Sequence, residues 1–435
     1  MRSSSTSFTC EDITVAWGRR PHAQDSVHGY WRLAVYQDVQ EAFDGSRLYF
    51  LYDPKADRRS VASGARRAGV SLVAFDLELR CFVGNIPFFE SPGAPKFLFA
   101  LKNPSPSGGS SFVLVSETKN QDGSQLHVFR LDLTANGMEL AEYRSLLQQP
   151  LSVSSEYICT LREDVPQLVV LAGPGLQVWQ VDAMAPVPST PLQYSTVPGA
   201  ELTHFYDGFV CRGSVYLLSA FTDDYLDYSR VHLLNLANPQ SISTHACSAD
   251  PKRGMPLARR QAAIEIVNGC ILLAGGEMDT ESRGIARLVD YWTVDLNSFQ
   301  WTQLPATMPV ALIEPRITKT YRGQVYLWGD YDQALPGMPW GTHVRILRAS
   351  GVGKATAPPL GFVAPDSGRG VTCRPGTSRS VPYPDSAPYP KLSSGMASGG
   401  GEHSGWQEGC EGSGQVDPNA PPETRHRKKK GCVVQ

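Results

Sequence analysis

Residues 256–301 read PLARRQAAIEIVNGCILLAGGEMDTESRGIARLVDYWTVDLNSFQW and carry the densest strand pattern in the chain. Short apolar or aromatic runs alternate there with turn residues, which is typical of small antiparallel sheets. Asn268-Gly269 is a strong hairpin signal, because both positions of such a turn need positive φ. The stretch predicts four strands, at residues 262–267, 270–274, 288–295 and 299–301.

The same unit recurs 54 residues later. This offset joins residues 271–275 (ILLAG) to residues 325–329 (VYLWG), and Pro315-Arg316 echoes Arg259-Arg260 at a slightly larger offset of 56 residues. Four-stranded units that repeat every 40–50 residues or so are typical of propeller blades.

Weaker copies of the unit lie upstream and complete a ring. Second strands are predicted at residues 48–51, 112–115, 168–172 and 215–218, and third strands at 72–76, 126–132, 176–182, 231–236 and 343–347. These pairs predict an all-β propeller over residues 12–349 with six blades, within a range of five to seven. After Leu347 the last blade lacks an outer strand, and residues 12–18 (DITVAWG) are expected to pair into it, because an open ring exposes a strand edge. Residues 1–11 are then a flexible N-terminus.

The two best repeats resemble the kelch family, whose pattern has a Pro-Arg start, a glycine doublet after the second strand, a third-strand Tyr and a fourth-strand Trp. The matching residues are Arg260, Gly275, Gly276, Tyr291, Trp301, Arg316 and Gly329. The glycine doublet lacks the neighbours of a phosphate loop and is expected to form a turn. Trp301 is expected to pack between blades, and the aspartates that end third strands are expected to accept turn hydrogen bonds.

The sequence offers no catalytic constellation. No histidines form an HxH or HExxH pair and no GxSxG elbow is present, so we predict a non-enzymatic protein without metal or cofactor. The formal net charge of −2 over 435 residues predicts no nucleic-acid partner. Nine scattered cysteines without a CxxC pair favour the reducing cytosol.

Three loops that follow second strands are long, and together they carry aromatic and charged residues. Tyr, Trp and Arg are enriched at interaction hot spots, so these loops predict a protein-binding face. The candidate residues are Arg66, Arg67, Asp223, Asp224, Tyr225, Tyr228, Tyr331 and Trp340.

The C-terminal region has a different composition. Residues 351–424 hold 14 Gly and 11 Pro in 74 positions, which predicts a disordered linker over residues 350–424. Residues 425–435 (RHRKKKGCVVQ) end in Cys432-Val433-Val434-Gln435, a match to the C-a-a-X motif, and its final Gln favours a farnesyl group. One lipid chain binds membranes only marginally, and basic residues supply a second signal to an anionic leaflet. The basic residues are Arg425, Arg427, Lys428, Lys429 and Lys430.

These patterns together predict a scaffold that is held at the cytoplasmic face of a membrane, is modified by a prenyltransferase and recruits a protein partner through propeller loops. Two alternatives stay open. One is a propeller enzyme with a ligand or metal pocket at the axis, as in the copper-radical oxidases of the kelch family. The other is a kelch adaptor that the basic run directs to the nucleus.

Overall fold

A computed structural model gives the architecture of the chain. It describes residues 7–11, 36–52, 70–79, 81–87, 92–121, 123–162, 164–194, 196–221, 225–267, 269–280, 284–308, 311–319, 324–331 and 342–350. All of them belong to one of the two units into which the chain divides.

The described residues form antiparallel sheets, whose strands are numbered along the chain from β1 (Ser7–Glu11). Sheet 1 contains β2 (Tyr36–Glu41), β3 (Arg47–Tyr52), β4 (Ser71–Asp76) and β5 (Cys81–Pro87). Sheet 2 contains β6 (Ala94–Leu101), β7 (Gly108–Asn120) and β8 (Gly123–Thr134), with β9 (Leu140–Ser145) and β10 (Leu151–Val153) both paired to β8. Sheet 3 contains β11 (Tyr157–Arg162), β12 (Gln167–Ala172), β13 (Gln177–Asp182) and β14 (Leu192–Tyr194).

A short 3₁₀ helix (Leu202–His204) leads into the second half of the ring. Sheet 4 contains β15 (Phe205–Cys211), β16 (Ser214–Ala220), β17 (Leu226–Asn235) and β18 (Ile242–Ala246). Sheet 5 contains β19 (Ala263–Val267), β20 (Cys270–Ala274), β23 (Asp290–Asp295) and β24 (Trp301–Thr307). Between β20 and β23 the chain forms a separate two-stranded ribbon of β21 (Glu277–Asp279) and β22 (Ile285–Arg287). Sheet 6 contains β25 (Leu312–Lys319), β26 (Gln324–Tyr331), β27 (Thr342–Ser350) and β1.

The first strands of the sheets form a closed ring. Each contacts the first strand of the next sheet, in the order β2, β6, β11, β15, β19, β25 and back to β2. The ring therefore has five four-stranded sheets and one five-stranded sheet. The predicted all-β propeller is confirmed, and the number of sheets lies inside the predicted range.

The N-terminal strand completes the last sheet. β1 pairs antiparallel with β27, with Cys10 opposite Leu347. The expectation that an N-terminal segment closes the ring placed it at residues 12–18, which lie outside the described residues. The strand lies five residues earlier, so the prediction of a flexible segment over residues 1–11 is wrong for residues 7–11.

The hydrophobic core lies between the sheets. Six clusters of buried side chains each join the facing surfaces of two neighbouring sheets. Both faces of a sheet are therefore buried, which explains why β12 (QLVVLA) is a continuous apolar run with five of six residues buried. The joint between sheets 6 and 1 packs Phe50 edge-on against Trp328 at 6.1 Å, so the ring closes through apolar burial as well as strand pairing.

Side chains at the axis satisfy backbone groups on the exposed edges of the inner strands. Asp38 accepts hydrogen bonds from its neighbour Val39 N–H (2.8 Å) and from Leu98 N–H of the next sheet (3.0 Å). Thr160 likewise accepts from Val210 N–H of the next sheet at 3.2 Å. An unpaired strand edge is a liability, and these bonds cap it while linking one sheet to the next.

Candidate functional site

The propeller has two ends, and the predicted binding loops belong to one of them. We call this the loop end, where second strands lead into third strands and fourth strands lead into the next sheet. The described part of the loop end carries a patch over sheets 4 and 5, which we call the ribbon patch. It consists of Phe221, Tyr225, Leu257, Arg260, Glu277, Asp279, Ile285 and Arg287.

Tyr225 and Asp279 join the two sheets across the ribbon patch. The Tyr225 hydroxyl donates to Asp279 Oδ2 at 3.0 Å and accepts from the Asp279 backbone N–H at 3.1 Å. Phe221 N–H donates to the Tyr225 carbonyl at 2.7 Å, which tightens the sheet 4 loop beside this contact. The loop of sheet 4 and the ribbon of sheet 5 thus form one surface.

Arg260 lies at the centre of the patch. Its two Nη atoms donate to the Asp279 carboxylate at 3.0 and 3.3 Å, and its Nε donates to Glu277 at 3.1 Å. The guanidinium also lies 5.9 Å from the centroid of the Tyr225 ring, within cation–π range. Burial acts to lower the pKa of Arg260, but the Glu277 hydrogen bond and the charges of both carboxylates outweigh it and raise the pKa.

The charges of the patch are balanced. Glu277 lies between two cations, since Arg287 Nε is 3.9 Å from its second carboxylate oxygen. Two arginines and two carboxylates therefore alternate over the ribbon. Arginine and tyrosine are among the residue types enriched at the hot spots of protein–protein interfaces.

Three large apolar side chains lie exposed around these charges. Phe221 is 49% exposed, Leu257 is 54% exposed and Ile285 is 52% exposed. Ile285 pairs with Asp279 across the ribbon, and the Leu257 carbonyl is bound by the neighbouring Arg259. The patch thus combines apolar anchors with a charged centre, the composition of a docking surface.

Arg259, the residue before Arg260, forms a buried ion pair with Asp290. Arg259 is 0% exposed and donates through both Nη atoms to the Asp290 carboxylate, at 2.6 and 2.9 Å. Arg259 Nη1 also donates to the Gly275 carbonyl at 2.9 Å, and Trp292 Nε1–H donates to Asp290 at 2.7 Å. Burial acts to raise the pKa of Asp290, but the hydrogen bonds and charge of Arg259 outweigh it and lower the pKa.

The glycine doublet sets the path of the chain into the ribbon. Gly275 has φ of +59° and Gly276 has φ of +97°, the region that favours glycine. A Cβ on Gly276 would lie 2.8 Å from the Arg260 carbonyl oxygen. This close approach lets Arg260 and Glu277 exchange both backbone hydrogen bonds at 2.9 Å, so the doublet forms the expected turn.

The other residues of the repeat motif lie in or beside the core. Tyr291 and Trp301 are each 1% exposed, and Trp301 Nε1–H donates to the Tyr228 carbonyl of sheet 4 at 3.0 Å. Arg316 lies 5.5 Å from the centroid of the Trp328 ring, and Gly329 is buried in β26. Trp301 therefore packs between sheets, as predicted.

The third strands of sheets 1, 2 and 3 contain the aspartates Asp76, Asp132 and Asp182. Two of these aspartates accept hydrogen bonds from turn N–H groups, as predicted. Asp76 accepts from Glu78 and Leu79 N–H at 3.0 and 2.9 Å, and Asp182 accepts from Met184 N–H at 2.8 Å. Asp132 differs, because it is buried and forms an ion pair with Arg130 at 2.9 Å. The sequence prediction is wrong for Asp132, whose partner two residues away lies in the same strand.

Of the predicted partner-binding residues, Tyr225 lies in the ribbon patch. Tyr228 is 6% exposed and packs edge-on against Trp301 at 5.6 Å, so it belongs to the core and not to the surface. Tyr331 is the last residue of β26. The remaining predicted residues lie outside the described part of the chain: Arg66, Arg67, Asp223, Asp224, Trp340, Arg425, Arg427, Lys428, Lys429, Lys430 and Cys432.

Sequence reasoning missed Arg259 and the ribbon. It assigned the repeat motif to Arg260, whereas the neighbouring Arg259 forms the buried ion pair. Both partners of the ion pair are visible in the sequence, Arg259 in the Arg-Arg pair and Asp290 in the Asp-Tyr-Trp segment. Their contact depends on the glycine turn that lies between them in the chain.

Within the described residues, no group of three or more His, Cys, Asp or Glu side chains is placed to hold a metal ion. In the same part of the chain, no helix has the length and apolar character needed to span a membrane.

No protein-family model matches the chain, and no curated protein matches it. Among solved structures, it is similar to the structure of YjhT, with a TM-score of 0.45 and 9% identity, over 73% of this chain and 95% of that chain. It is also similar to a crystal structure of a GH62 hydrolase in complex with xylotriose, with a TM-score of 0.33 and 12% identity, over 60% of this chain and 93% of that chain. The assignment of a β-propeller rests on the closed ring of sheets described above.

Proposed function

We propose that the protein is a non-enzymatic interaction scaffold of kelch type that is tethered to a membrane and recruits a protein partner through the loop end of its propeller. The observation that carries the proposal is the ribbon patch. It offers three exposed apolar side chains around Arg260 and Tyr225, on a surface joined across two sheets by hydrogen bonds. Side chains that are already held by hydrogen bonds lose less conformational entropy on binding than free ones.

The tether follows from the C-terminal sequence. Cys432 is the residue that a prenyltransferase would modify, and the basic residues from Arg425 to Lys430 would bind anionic headgroups. Each Lys or Arg near such a surface contributes about 1 kcal/mol, so the basic residues would turn marginal lipid binding into stable anchoring.

Fractionation of cells that express the full chain tests the tether. The parent is expected in the membrane fraction and the variant Cys432→Ser in the soluble fraction, because serine cannot carry the thioether-linked lipid. A variant with glutamine at Lys428, Lys429 and Lys430 is expected to distribute between the two fractions. The tether is refuted when Cys432→Ser fractionates with membranes as fully as the parent.

Paired surface variants test the binding face. Leu257→Ser removes an apolar anchor from the ribbon patch, and Leu79→Ser removes one that is 66% exposed at the opposite end of the propeller. Proteins that co-purify with the parent are expected to be lost from Leu257→Ser and kept by Leu79→Ser. Equal loss from both variants, or loss from neither, would contradict recruitment through this face.

A further inference from the structure

A second concave site lies on the flank of sheet 4. Residues 197–205, which connect sheet 3 to sheet 4, face strands β16, β17 and β18 across a cleft of about 780 Å³. We call it the sheet 4 cleft. Its volume lies within the range of about 300–1,000 Å³ that is usual for small-molecule sites. Phe221 belongs both to the cleft and to the ribbon patch, so the two sites adjoin.

An irregularity in β17 shapes the cleft. Leu218 pairs with Val231, but the next residue, Ser219, pairs with Asp227, so β17 has three extra residues at this point. Such bulges bend a strand and redirect its side chains, and they are frequent beside functional sites. Here Asp227, which precedes the three extra residues, and Arg230, the last of them, both line the cleft.

Arg230 presents unused donors to the cleft. Its Nε contacts Asp227 Oδ2 at 3.3 Å and Ser229 Oγ at 3.4 Å. Among the described residues neither Nη atom donates a hydrogen bond, and the side chain is 54% exposed. The other oxygen of Asp227 accepts Ser229 N–H at 2.8 Å, which fixes the carboxylate that orients the guanidinium. Two parallel N–H groups of this kind match the oxygens of a carboxylate or phosphate.

The rest of the wall combines polar and apolar side chains. His232 forms hydrogen bonds with the hydroxyls of Ser219 at 2.6 Å and Thr244 at 2.9 Å, one at each ring nitrogen. Burial, followed by the charge of Arg230, lowers the pKa of His232, so its ring stays neutral at pH 7. Phe205 lies edge-on to this ring at 5.3 Å, and Phe221 forms a second aromatic wall.

The Ser219–His232 contact is a structural feature and not a nucleophile with its base. A similar pair occurs in sheet 2, where Thr118 Oγ1 lies 3.3 Å from His127 Nε2. In both sheets the hydroxyl residue is two positions beyond the cross-strand neighbour of the histidine, Ser116 or Leu217. The repetition indicates a cross-strand packing device, which leaves Arg230 as the group available to a ligand.

We propose that the sheet 4 cleft binds a small organic anion, whose carboxylate or phosphate is held by the Arg230 guanidinium and whose apolar body packs against Phe205 and Phe221. This binding goes beyond the scaffold function and does not depend on it. The adjoining position of the cleft would let such a ligand contact a partner that is bound at the ribbon patch.

Isothermal titration calorimetry of the full chain tests the proposal, with phenyl phosphate, benzoate and neutral phenol as probes. At least one of the two anions is expected to bind saturably and more tightly than phenol, and the stronger anion identifies the preferred headgroup. In Arg230→Gln the affinity is expected to fall about tenfold or more, since a charge-assisted hydrogen-bond pair is lost. The matched control is Arg212→Gln, an exposed arginine on the same sheet at the opposite end, which is expected to bind as the parent does.

Three results would overturn the proposal. They are the absence of saturable binding for both anions, an unchanged affinity in Arg230→Gln, or phenol binding as tightly as the stronger of the two anions. Arg230 is mostly solvent-exposed, so its replacement is expected to leave the melting temperature close to that of the parent, and a melt of each variant verifies the fold.

Discussion

Replacing Arg259 by methionine is expected to destabilise the propeller by about 3–5 kcal/mol, the usual cost of breaking a buried ion pair from one side. Arg259 is fully buried, and both oxygens of Asp290 accept from its Nη atoms. In the variant the Asp290 carboxylate would keep Trp292 Nε1–H as its remaining side-chain donor, at 2.7 Å.

The lost hydrogen bonds account for the size of this effect. The Gly275 carbonyl loses its Arg259 donor at 2.9 Å, and the Leu257 carbonyl loses one at 3.0 Å. Each such bond contributes about 1 kcal/mol net, and the stranded carboxylate adds the remainder. The double variant Arg259→Met with Asp290→Asn removes both charges, so its cost is expected to fall short of the sum of the single variants by about 2 kcal/mol or more.

Urea denaturation followed by tryptophan fluorescence measures these free energies of unfolding. Because Arg259 holds the pKa of Asp290 below its usual value, the pair stabilises the fold above the ordinary Asp pKa, and this stabilisation is lost as pH falls through the lowered pKa. In Arg259→Met burial still acts to raise the pKa of Asp290, and the Arg259 hydrogen bonds and charge that opposed it are gone, so the destabilisation is expected to shrink as the carboxylate is protonated. Single variants that cost under about 1 kcal/mol, or costs that add in the double variant, would refute the reasoning.

Three further predictions concern the axis, the core and the turn. Burial raises the pKa of Asp38 to about 6, so its ionisation weakens the fold as pH rises from the ordinary Asp value to about 6. Asp38→Asn is therefore expected to gain about 3 kcal/mol on the parent over that interval, because each pKa unit corresponds to about 1.4 kcal/mol; a stability difference between variant and parent that does not change with pH would contradict this. Trp301→Ala is expected to cost about 3–5 kcal/mol in urea denaturation, because the indole is 1% exposed between two sheets; a cost below about 1 kcal/mol would argue against that packing. Gly276→Ala, where a Cβ would lie 2.8 Å from a backbone oxygen, is expected to lower the melting temperature more than Gly199→Ala, which has φ of +70° but open space around it; equal shifts would show that crowding is unimportant.

The sequence contained enough to predict the second and third strands because of where they lie. They occupy the middle of sheets that are buried on both faces, so apolar residues fill almost every position. In β20 (CILLA) all five residues are buried. Local composition alone then identifies the strand, and the turn residues on either side fix its limits.

The closing strand could not be placed in the same way. β1 pairs with residues more than 330 positions away, and its sequence, SFTCE, lacks the apolar run of an inner strand. A strand at the outer edge of a sheet needs few buried residues, so its sequence resembles that of a loop. The segment at residues 12–18 (DITVAWG) is more apolar, so composition alone favours it as a strand over residues 7–11.

The candidate sites were harder to predict for a related reason. Tyr225 and Tyr228 are three residues apart in one short segment, yet one lies at the surface and the other in the core. Tyr228 lies within the irregular part of β17, where residues 228–230 have no partner in β16, and the local sequence does not predict this irregularity. The same irregularity places Arg230 in the cleft. Residues 197–205 line the same cleft but are distant from Arg230 in the sequence, so no local pattern connects the two.

Cross-linking mass spectrometry of the full chain, purified with its bound proteins, tests most directly whether the loop end is the binding face. Lys252 is exposed in the loop-end segment that also carries Leu257, and Lys102 is exposed at the opposite end of the propeller. The scaffold account predicts cross-links from bound proteins to Lys252 and few to Lys102. Cross-links concentrated at Lys102, or none at Lys252 while partners stay bound, would contradict it.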